Sequence, residues 1–365
     1  RVGFDETPDY LKTAMETGNP GYLPTNLLQE FYGRQIQKTA DLETNACCDV
    51  DTMAKHARVV SMVPAAATEK YLGCGSPIPD DLPTLKGLTA LDLGSGSGVD
   101  AMILRFYLGP NGHMIGLDMT GEQLELARRS GVEFMQKLNY DPGSLEFVEG
   151  FMETADGIPD ESVDLIISNC VVNLSPRKDL VFETMHRVLK PGGEVFFSDI
   201  VADRRTDLMD DEILVAECLG MAPYVHDARD MLQDAGFTDP RFFSRRRLAP
   251  NQRVLDRGDL TNFDSVIWRA FKLPDMDRRC EDYGQIAVYK GNMAGSPATF
   301  TLDEGHVFEA GRPMSVCRNT ARMLMETRLR AYFEVTGATK HFGLFADCGT
   351  ESAAALDSEN SGACC

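Results

Sequence analysis

The chain has 365 residues, of which 43% are hydrophobic and 25% are charged, a composition that is ordinary for a soluble globular protein. Its formal net charge of −20 argues against nucleic acid as a partner, because binding to phosphates requires a basic surface. No run approaches the roughly 18 apolar residues that a membrane-spanning helix needs, so we expect no membrane segment.

Strands and helices alternate five times in the central part of the sequence. Residues 1–45 are polar and mixed and predict a helix followed by a loop. The predicted strands are "LTALDL", "GHMIGLDM", "LEFVEG", "VDLIISN" and "EVFFSDI". Helices are predicted between them, and Thr120 with Gln123 predicts a capping box at the start of one helix. This alternation predicts an α/β fold with a doubly wound parallel sheet.

The pattern changes near Pro240. The runs "FFSRRR" and "PNQRVLDRGD" are basic and predict loops, whereas "DSVIWRAFKL" and "YGQIAVYKG" predict strands. Residues 299–335 predict a small mixed region. The final segment, "CGTESAAALDSENSGACC", predicts a disordered tail.

A glycine-rich turn follows the first strand and opens a helix. Gly94, Gly96 and Gly98 let the backbone turn tightly and approach a ligand closely. Asp118 ends the next strand, where a carboxylate can hold both hydroxyls of a ribose. The spacing is GxGxG after Asp92, whereas a dinucleotide-binding enzyme favours GxGxxG. Together with "IGLDM", "GFMET" and "VLKPGG", the run "ALDLGSGSG" resembles the class I S-adenosylmethionine-dependent methyltransferases.

That resemblance implies roles for individual residues. The implied cofactor contacts are Asp92, Gly94, Ser95, Gly96, Gly98, Asp118, Met119, Gln123, Met152 and Glu153. Asp118 would hold the ribose, Met152 and Glu153 would face the adenine, and residues 92–98 would line the methionine end. The two methionines could equally be core residues, and Gln123 could serve the capping box alone.

Four cysteines are candidates for chemistry. Cys170 lies just past the fourth strand, and ligands of open α/β sheets bind beyond the carboxyl ends of the strands. Cys218 follows the fifth strand, Cys47 follows a polar loop, and Cys74 has a glycine on each side, which should leave its sulfur accessible. No CxxC motif is present, so neither a structural zinc site nor a redox pair is favoured. Soft thiolates beside a methyl donor suggest a thiophilic substrate held for methylation.

Eight motifs resemble those of the arsenic(III) S-adenosylmethionine methyltransferases. They are "FYGRQIQKTADLETNAC", "YLGCGSPIP", "LDLGSGSGVD", "IGLDMTGEQLELA", "ISNCVVNL", "VLKPGGEVFFSD", "AECLG" and "YKG". The resemblance implies that Cys170 and Cys218 are indispensable arsenic(III) ligands and that Cys74 is the third. It also implies that Cys47 exchanges with Cys74 and forms a disulfide with it during turnover.

The same resemblance extends to other contacts and to partners. Tyr32 and Gly33 would close over S-adenosylmethionine, and Asn169 would border its methionine moiety. The substrate would be arsenite or an arsenic–glutathione conjugate, which would be methylated once or twice, with a third methylation left open. Thioredoxin or glutathione would be the reductant. Leu72 departs from the family, because relatives often have tyrosine there.

The resemblance also divides the chain into regions. Residues 1–239 would form the cofactor-binding domain with an N-terminal cap, and residues 240–290 would contribute to the arsenic-binding domain. A C-terminal domain would follow at residues 291–348, and residues 349–365 would form the tail. The expected fold is a class I Rossmann-like doubly wound sheet with a smaller mixed α+β C-terminal region.

Two other functions stay open on the residues alone. The first is S-adenosylmethionine-dependent methylation of a small organic acceptor, which would leave the four placed thiols unexplained. The second is sequestration of a metalloid without catalysis, which would need the cysteines but not the glycine turn. Either rival is separated from arsenite methylation by products formed in the presence of arsenite.

The remaining cysteines carry no assigned chemistry. No signal peptide is visible, and ten cysteines are too few on so long a chain for a disulfide scaffold, so we expect a cytoplasmic protein with reduced thiols. Cys48 adjoins Cys47 and could replace it in the exchange. The residues expected to be structural or incidental are Cys280, Cys317 and Cys348. The Cys364–Cys365 pair could capture a metalloid or simply be two exposed thiols on a disordered end.

Overall fold

The computed structural model describes residues 51–345, and its centre is a seven-stranded sheet. In chain order the strands are β1 (Thr89–Leu93), β2 (His113–Asp118), β3 (Leu145–Glu149), β4 (Val163–Asn169), β5 (Leu189–Ala202), β6 (Arg241–Arg247) and β7 (Phe263–Phe271). Their spatial order is β3-β2-β1-β4-β5-β7-β6. Strands β1 to β5 are parallel, whereas β7 is antiparallel to β5 and to β6. The predicted class I doubly wound sheet is confirmed, with an antiparallel edge added.

Helices cover both faces of this sheet. Within the described residues they are α1 (Asp51–Lys55), α2 (Ala57–Val60), α3 (Ala65–Thr68), α4 (Val99–Leu108), α5 (Gly121–Leu138), α6 (Lys178–Val188), α7 (Glu212–Ala216), α8 (Val225–Asp234), α9 (Gln252–Asp256) and α10 (Arg318–Met325). Ala90 packs with α4 and α5, and the next residue, Leu91, packs with α6 and α8 on the other face. No helix in residues 51–345 is both long and apolar enough to cross a bilayer.

The loop prediction for "FFSRRR" is wrong, because these residues form β6 at the edge of the sheet. Phe242 on β6 packs against Trp268 on β7, with ring centroids 4.3 Å apart. The last three arginines of β6 are exposed, which hides the alternating apolar pattern and discourages pairing with another chain. Part of "PNQRVLDRGD" likewise forms α9, whose N-terminus is capped by the side chain of Asn251. The boundary drawn between residues 239 and 240 therefore falls inside the sheet.

A smaller α+β unit follows the sheet, as predicted. Its strands are β8 (Glu281–Asp282), β9 (Gln285–Tyr289), β10 (Thr299–Asp303), β11 (His306–Glu309), β12 (Pro313–Val316), β13 (Phe333–Val335) and β14 (Gly343–Leu344). Strands β12, β9 and β13 form one sheet, and β10 pairs with β11 in a hairpin. The rings of Tyr289, Phe300, Phe308 and Phe333 pack together at its centre, beside the apolar face of α10.

Four buried charges join this unit to the large sheet. Arg328 ion-pairs with Asp81, and its Nη2 lies 2.6 Å from Glu194 Oε2. Arg269 Nε lies 2.9 Å from Glu194 Oε1, an ionic contact without good hydrogen-bond geometry. Burial opposes ionisation of Asp81, but Arg328 and Arg269 outweigh it and hold the pKa of Asp81 at about 2. Because Asp81 follows closely after Cys74 in the chain, this cluster anchors the segment that carries that thiol.

Replacing Arg328 by Met should lower the free energy of unfolding by about 3–5 kcal/mol, because buried carboxylates lose their counter-charge. Urea denaturation measures the change. Arg312→Met is the matched control, since Arg312 pairs with Glu309 on the surface, where an ion pair contributes about 0–1 kcal/mol. A loss at Arg328 no larger than in the control would contradict the anchoring role.

Candidate functional site

A cavity of about 1170 Å³, open to solvent, lies beyond the carboxyl ends of β1, β2 and β4. The strand order reverses there, and open α/β sheets bind their ligands at such a position. The predicted cofactor residues that line the cavity are Asp92, Gly94, Ser95, Gly96, Asp118, Met119, Gln123, Met152, Glu153 and Asn169. Cys170 lines it as well. The structure therefore brings together residues that the sequence separates widely.

The glycine turn after β1 combines two functions. Gly94 has a φ of 74°, and a Cβ there would lie 2.5 Å from the side chain of Val171, so a larger residue would be strained and would collide. A Cβ at Gly96 would meet no protein atom within 4 Å, which leaves room for a ligand. The prediction for Gly98 needs correction, because this residue does not line the cavity. A Cβ there would lie 2.7 Å from Phe147, so Gly98 permits close packing of the helix on the sheet.

Asp118 ends β2 and is held by backbone donors. The N–H groups of Gly96 and Thr120 each donate to one of its carboxylate oxygens at 2.8 Å. Burial raises the pKa of Asp118, although these hydrogen bonds oppose the rise. The capping-box prediction is wrong, because the Thr120 side chain bonds Asp118 and makes no cap bond to α5. Gln123 lines the cavity instead.

Buried carboxylates make the cavity acidic. Burial raises the pKa of Asp92 well above its usual range, and Asp100 and Asp118 raise it further. Burial also raises the pKa of Asp100 to about 6, although hydrogen bonds from Asn169 and Tyr71 oppose this rise. A cationic ligand offsets the unfavourable burial of these charges. S-adenosylmethionine carries a sulfonium and an ammonium group, so the residues present fit this cofactor.

The predicted adenine side of the cavity is organised around Glu153. Ser175 Oγ donates to Glu153 Oε1 at 2.5 Å, and Thr184 Oγ1 donates to its backbone oxygen at 2.6 Å. Met119 and Met152 are partly buried, and each lines the cavity while packing against a core cluster. Core packing is therefore confirmed for both methionines, and their contact with the cofactor stays a prediction.

Asn169 connects the cofactor cavity to Cys74. Its Nδ2 donates to Asp100 Oδ2 at 2.9 Å, to Tyr71 Oη at 3.0 Å and to the Gly75 carbonyl at 2.9 Å. Its Oδ1 accepts the backbone N–H of Cys74 at 3.1 Å. The carboxylate can only accept, so the amide nitrogen must face Asp100 and the amide oxygen must face Cys74.

Cys74, Cys170 and Cys218 belong to one buried core cluster, and none of them is in a disulfide. Cys218 Sγ donates to the carbonyl oxygen of Cys170 at 2.9 Å, and Cys74 Sγ lies 3.3 Å from Ser198 Oγ. Cys74, Cys170 and Asp199 have ligand atoms within 4.8 Å of one another. The expected accessibility of the Cys74 sulfur is wrong, because the residue is 0% exposed. Its flanking glycines permit close approach of neighbouring side chains.

Two of these cysteines have an unusual backbone conformation. Cys170 and Cys218 have φ values of 59° and 68°, in the left-handed region. This region costs about 1–2 kcal/mol for a residue with a Cβ. Such strain persists only where the surrounding structure imposes it, and it concentrates at functional sites.

A lysine lies near the thiol cluster. Lys178 Nζ donates to the carbonyl oxygens of Asn173 at 3.1 Å and Ser175 at 2.8 Å. Burial lowers the pKa of Lys178 to about 8, while the negative charge of Asp199 opposes the fall. A positive charge in this position favours anionic sulfur.

Several predicted residues cannot be placed. Those that lie outside the described residues are Tyr32, Gly33, Cys47, Cys48, Cys348, Cys364 and Cys365. Cys280 is disulfide-bonded, so the expectation of free thiols is wrong for this residue. Cys317 is a free, buried thiol in the C-terminal unit, and its sulfur accepts the Thr320 N–H at 3.4 Å.

Sequence reasoning missed Tyr71, Asp100 and Asp199. Asp199 directly follows the last residue of β5 that pairs with β4, so the strand-end argument that identified Cys170 also applies to it. Asp100 lies in the first turn of α4, next to the glycine turn, which is a detectable position. Tyr71 has no comparable signal, because only the tertiary fold brings it to Asp100.

The fold, the glycine turn and the acidic cavity define a class I S-adenosylmethionine-dependent methyltransferase. The family model of a methyltransferase domain matches residues 84–236. The family model of an arsenite methyltransferase C-terminal domain matches residues 283–359. The first model covers the five parallel strands β1 to β5 and the second covers most of the smaller unit, whereas β6 and β7 lie between the two matches.

Similar proteins narrow the class to one family. An arsenite methyltransferase from Aquipseudomonas alcaligenes is 40% identical over 330 residues, which cover 88% of this chain and 94% of that protein. The arsenite methyltransferase of Mus musculus is 34% identical over 322 residues, covering 85% and 82%. The crystal structure of CrArsM, an arsenic(III) S-adenosylmethionine methyltransferase from Chlamydomonas reinhardtii, matches with a TM-score of 0.74 and 39% identity, covering 80% of this chain and 98% of that one. The chain belongs to the arsenite methyltransferase family.

Asp100→Asn should weaken the pH dependence of stability in the protein without cofactor. Burial raises the pKa of Asp100 from 3.8 to about 6, so its contribution to stability is present below pH 3.8 and is lost as the pH rises through about 6. Between about pH 4 and about pH 7.5, the wild type should lose about 1–3 kcal/mol more unfolding free energy than the variant.

Urea denaturation at several pH values measures this difference. Asp160→Asn is the control, because Asp160 is an exposed carboxylate paired with Arg187 and should leave the wild-type slope unchanged. Equal slopes in the wild type and the Asp100 variant would show that Asp100 is ionised in the folded protein at all these pH values.

Proposed function

We propose that this protein transfers methyl groups from S-adenosylmethionine to trivalent arsenic held by the thiolates of Cys74, Cys170 and Cys218. The observation that supports the proposal is that Cys74, Cys170 and Cys218, none of which is in a disulfide, belong to one buried core cluster, and that Cys170 lines the cofactor cavity. Three soft thiolates select a thiophilic substrate, either arsenite or an arsenic–glutathione conjugate. The names of the two relatives above agree with this substrate.

Arsenite binding replaces three As–O bonds by three As–S bonds. Each thiol proton leaves with one hydroxide as water, so the buried cluster gains no net charge. Leu214 on α7 and Leu248 and Phe263 from the middle region line the cluster and exclude water, which opposes hydrolysis of the As–S bonds. Ser265 Oγ also donates to the Cys74 carbonyl at 2.5 Å. These contacts support the proposal that residues 240–290 contribute to arsenic binding.

The nucleophile in this scheme is the lone pair of trivalent arsenic. Bound S-adenosylmethionine supplies an electrophilic methyl group on its sulfonium. The As–C bond forms as the S–CH₃ bond breaks, and the electron pair of that bond stays on sulfur. No general base is required, because the nucleophile carries no proton. Holding both reactants in a fixed approach can contribute roughly 7–11 kcal/mol.

Methyl transfer makes arsenic pentavalent, so two electrons must return it to the trivalent state. We assign these electrons to Cys47 and Cys74, which would be oxidised to a disulfide. Thioredoxin or glutathione would then reduce this disulfide by thiol exchange. Repeating the cycle gives monomethylated and then dimethylated arsenic.

Replacing Cys170 or Cys218 by Ser should lower the rate of arsenic methylation at least about 100-fold, because oxygen is a poor ligand for a soft metalloid. The assay is incubation with arsenite, glutathione and S-adenosylmethionine, followed by chromatographic separation of the arsenic species. Cys317→Ser is the matched control, because it alters a buried free thiol outside the site. Full activity in either test variant contradicts the assignment of the ligands.

Replacing Cys47 by Ser should slow turnover when thioredoxin is the only reductant, because the internal disulfide cannot form. Added glutathione should restore part of the rate by reducing arsenic directly. A Cys47→Ser, Cys48→Ser double variant shows whether the adjacent thiol takes over. If turnover beyond the first methylation proceeds at the wild-type rate in both variants with thioredoxin alone, the redox assignment fails.

A further inference from the structure

We propose that Asp199, together with Cys74 and Cys170, forms a binding site for a thiophilic divalent cation such as Zn²⁺ or Cd²⁺, and that the bound cation excludes arsenite. The three side chains offer two sulfur atoms and one carboxylate oxygen within 4.8 Å of one another. Ligands at zinc distances of about 2.0–2.3 Å in a tetrahedron lie roughly 3.5 Å apart, so small side-chain shifts suffice. The residues are 0%, 4% and 2% exposed for Cys74, Cys170 and Asp199.

The carboxylate of Asp199 is oriented in advance. The N–H of Asn173 donates to its Oδ2 at 3.0 Å, and the N–H of Ile200 donates to its Oδ1 at 2.8 Å. Each carboxylate oxygen has two lone pairs, so a single backbone hydrogen bond does not prevent that oxygen from binding a cation. The arsenic chemistry above gives this buried carboxylate no role, because three thiolates satisfy trivalent arsenic.

Charge balance favours exchange of a divalent cation for two thiol protons. With both thiols protonated, the three groups carry only the negative charge of Asp199. When the cation enters and two protons leave, the total charge stays the same. The nearby Lys178, which interacts electrostatically with Asp199, balances that charge in either state. Two thiolates with one carboxylate suit Zn²⁺ or Cd²⁺, whereas Mg²⁺ and Ca²⁺ require oxygen ligands.

Asp199 should favour binding of a divalent cation over binding of trivalent arsenic at the thiol cluster. Arsenic bound by three thiolates is neutral and gains little from a nearby carboxylate. A divalent cation bound by two thiolates still has open coordination positions, and a carboxylate oxygen fills one of them. The exclusion of arsenite rests on the proposed function, because it requires that arsenic use Cys74 and Cys170, but cation binding does not.

The test is equilibrium dialysis of Zn²⁺ and Cd²⁺ against the full chain. A background with Cys47, Cys48, Cys364 and Cys365 changed to Ser removes competing thiols. In this background, Asp199→Asn should lower the cation affinity about 10- to 100-fold. The matched control Asp160→Asn, an exposed carboxylate at the opposite end of β4, should leave it unchanged. Equal cation affinities in the Asp199→Asn and Asp160→Asn variants would show that Asp199 is not a ligand and would overturn the proposed site.

A second measurement does not depend on the folding of the Asp199 variant. At an iodoacetamide exposure long enough to alkylate Cys74 and Cys170 of the metal-free background chain through local opening, Zn²⁺ should slow the alkylation of both thiols, as read by peptide mass spectrometry, and Mg²⁺ should not. Absence of protection by Zn²⁺ overturns the proposal even if the variant misfolds.

Competition separates this inference from the proposed function. With free Zn²⁺ set by a metal buffer and thioredoxin as reductant, the KM for arsenite should rise with Zn²⁺ in the chain that retains Cys47 and Cys48, and far less after Asp199→Asn in that same chain. If Zn²⁺ protects both thiols but the KM for arsenite stays constant, the exclusion of arsenite is overturned, and arsenic does not use these thiols. If methylated arsenic forms but Zn²⁺ does not bind, the function stands and the cation site fails.

Discussion

The amide of Asn169 is the interaction on which the arrangement of the site depends. One end of the amide faces the acidic cavity through Asp100, and the other end holds the backbone of Cys74. Because the carboxylate accepts only, the orientation of the amide is fixed, and so is the distance between cofactor cavity and thiol cluster. The local sequence is adapted to this contact, since a Cβ at Gly73 would lie 2.5 Å from Asn169 Nδ2. The glycines beside Cys74 therefore allow close packing rather than access from solvent.

The site is built from groups that individually oppose folding. Cys170 and Cys218 occupy left-handed conformations, and Asp92 and Asp100 are carboxylates buried close together. Their combined unfavourable contribution must be offset elsewhere. The buried ion cluster around Arg328 acts close to the site. It fixes the segment that leads away from Cys74 to the C-terminal unit. That unit thereby helps to fix a segment next to the thiol cluster, although none of its residues belongs to that cluster.

Local patterns in the sequence were sufficient for the parallel part of the fold and for much of the cavity. Strand periodicity and the glycine turn locate β1 to β5, and the strand-end rule places Asp118, Asn169 and Cys170 at one edge. The same local reasoning fails where tertiary contacts decide the structure. The arginines of β6 conceal an edge strand, the Thr120 hydroxyl binds Asp118 instead of capping a helix, and Gly98 serves packing. Burial of Cys74 also depends on residues distant in sequence, so its flanking glycines were misleading.

The cofactor cavity and the thiol cluster respond differently to charge, and this difference favours one order of steps in the proposed cycle. The cavity contains the carboxylates of Asp92, Asp100 and Asp118, whose burial is relieved by a cation. Methyl transfer removes the sulfonium charge, so the demethylated cofactor is attracted less strongly by the same carboxylates. In the proposed scheme, exchange of hydroxide for thiolate on arsenic leaves the charge of the thiol cluster unchanged, and the positive charge that arrives with the methyl group is removed by the two-electron reduction. Electrostatics would then favour replacement of the spent cofactor while arsenic remains bound, which is the order that the proposed successive methylation needs.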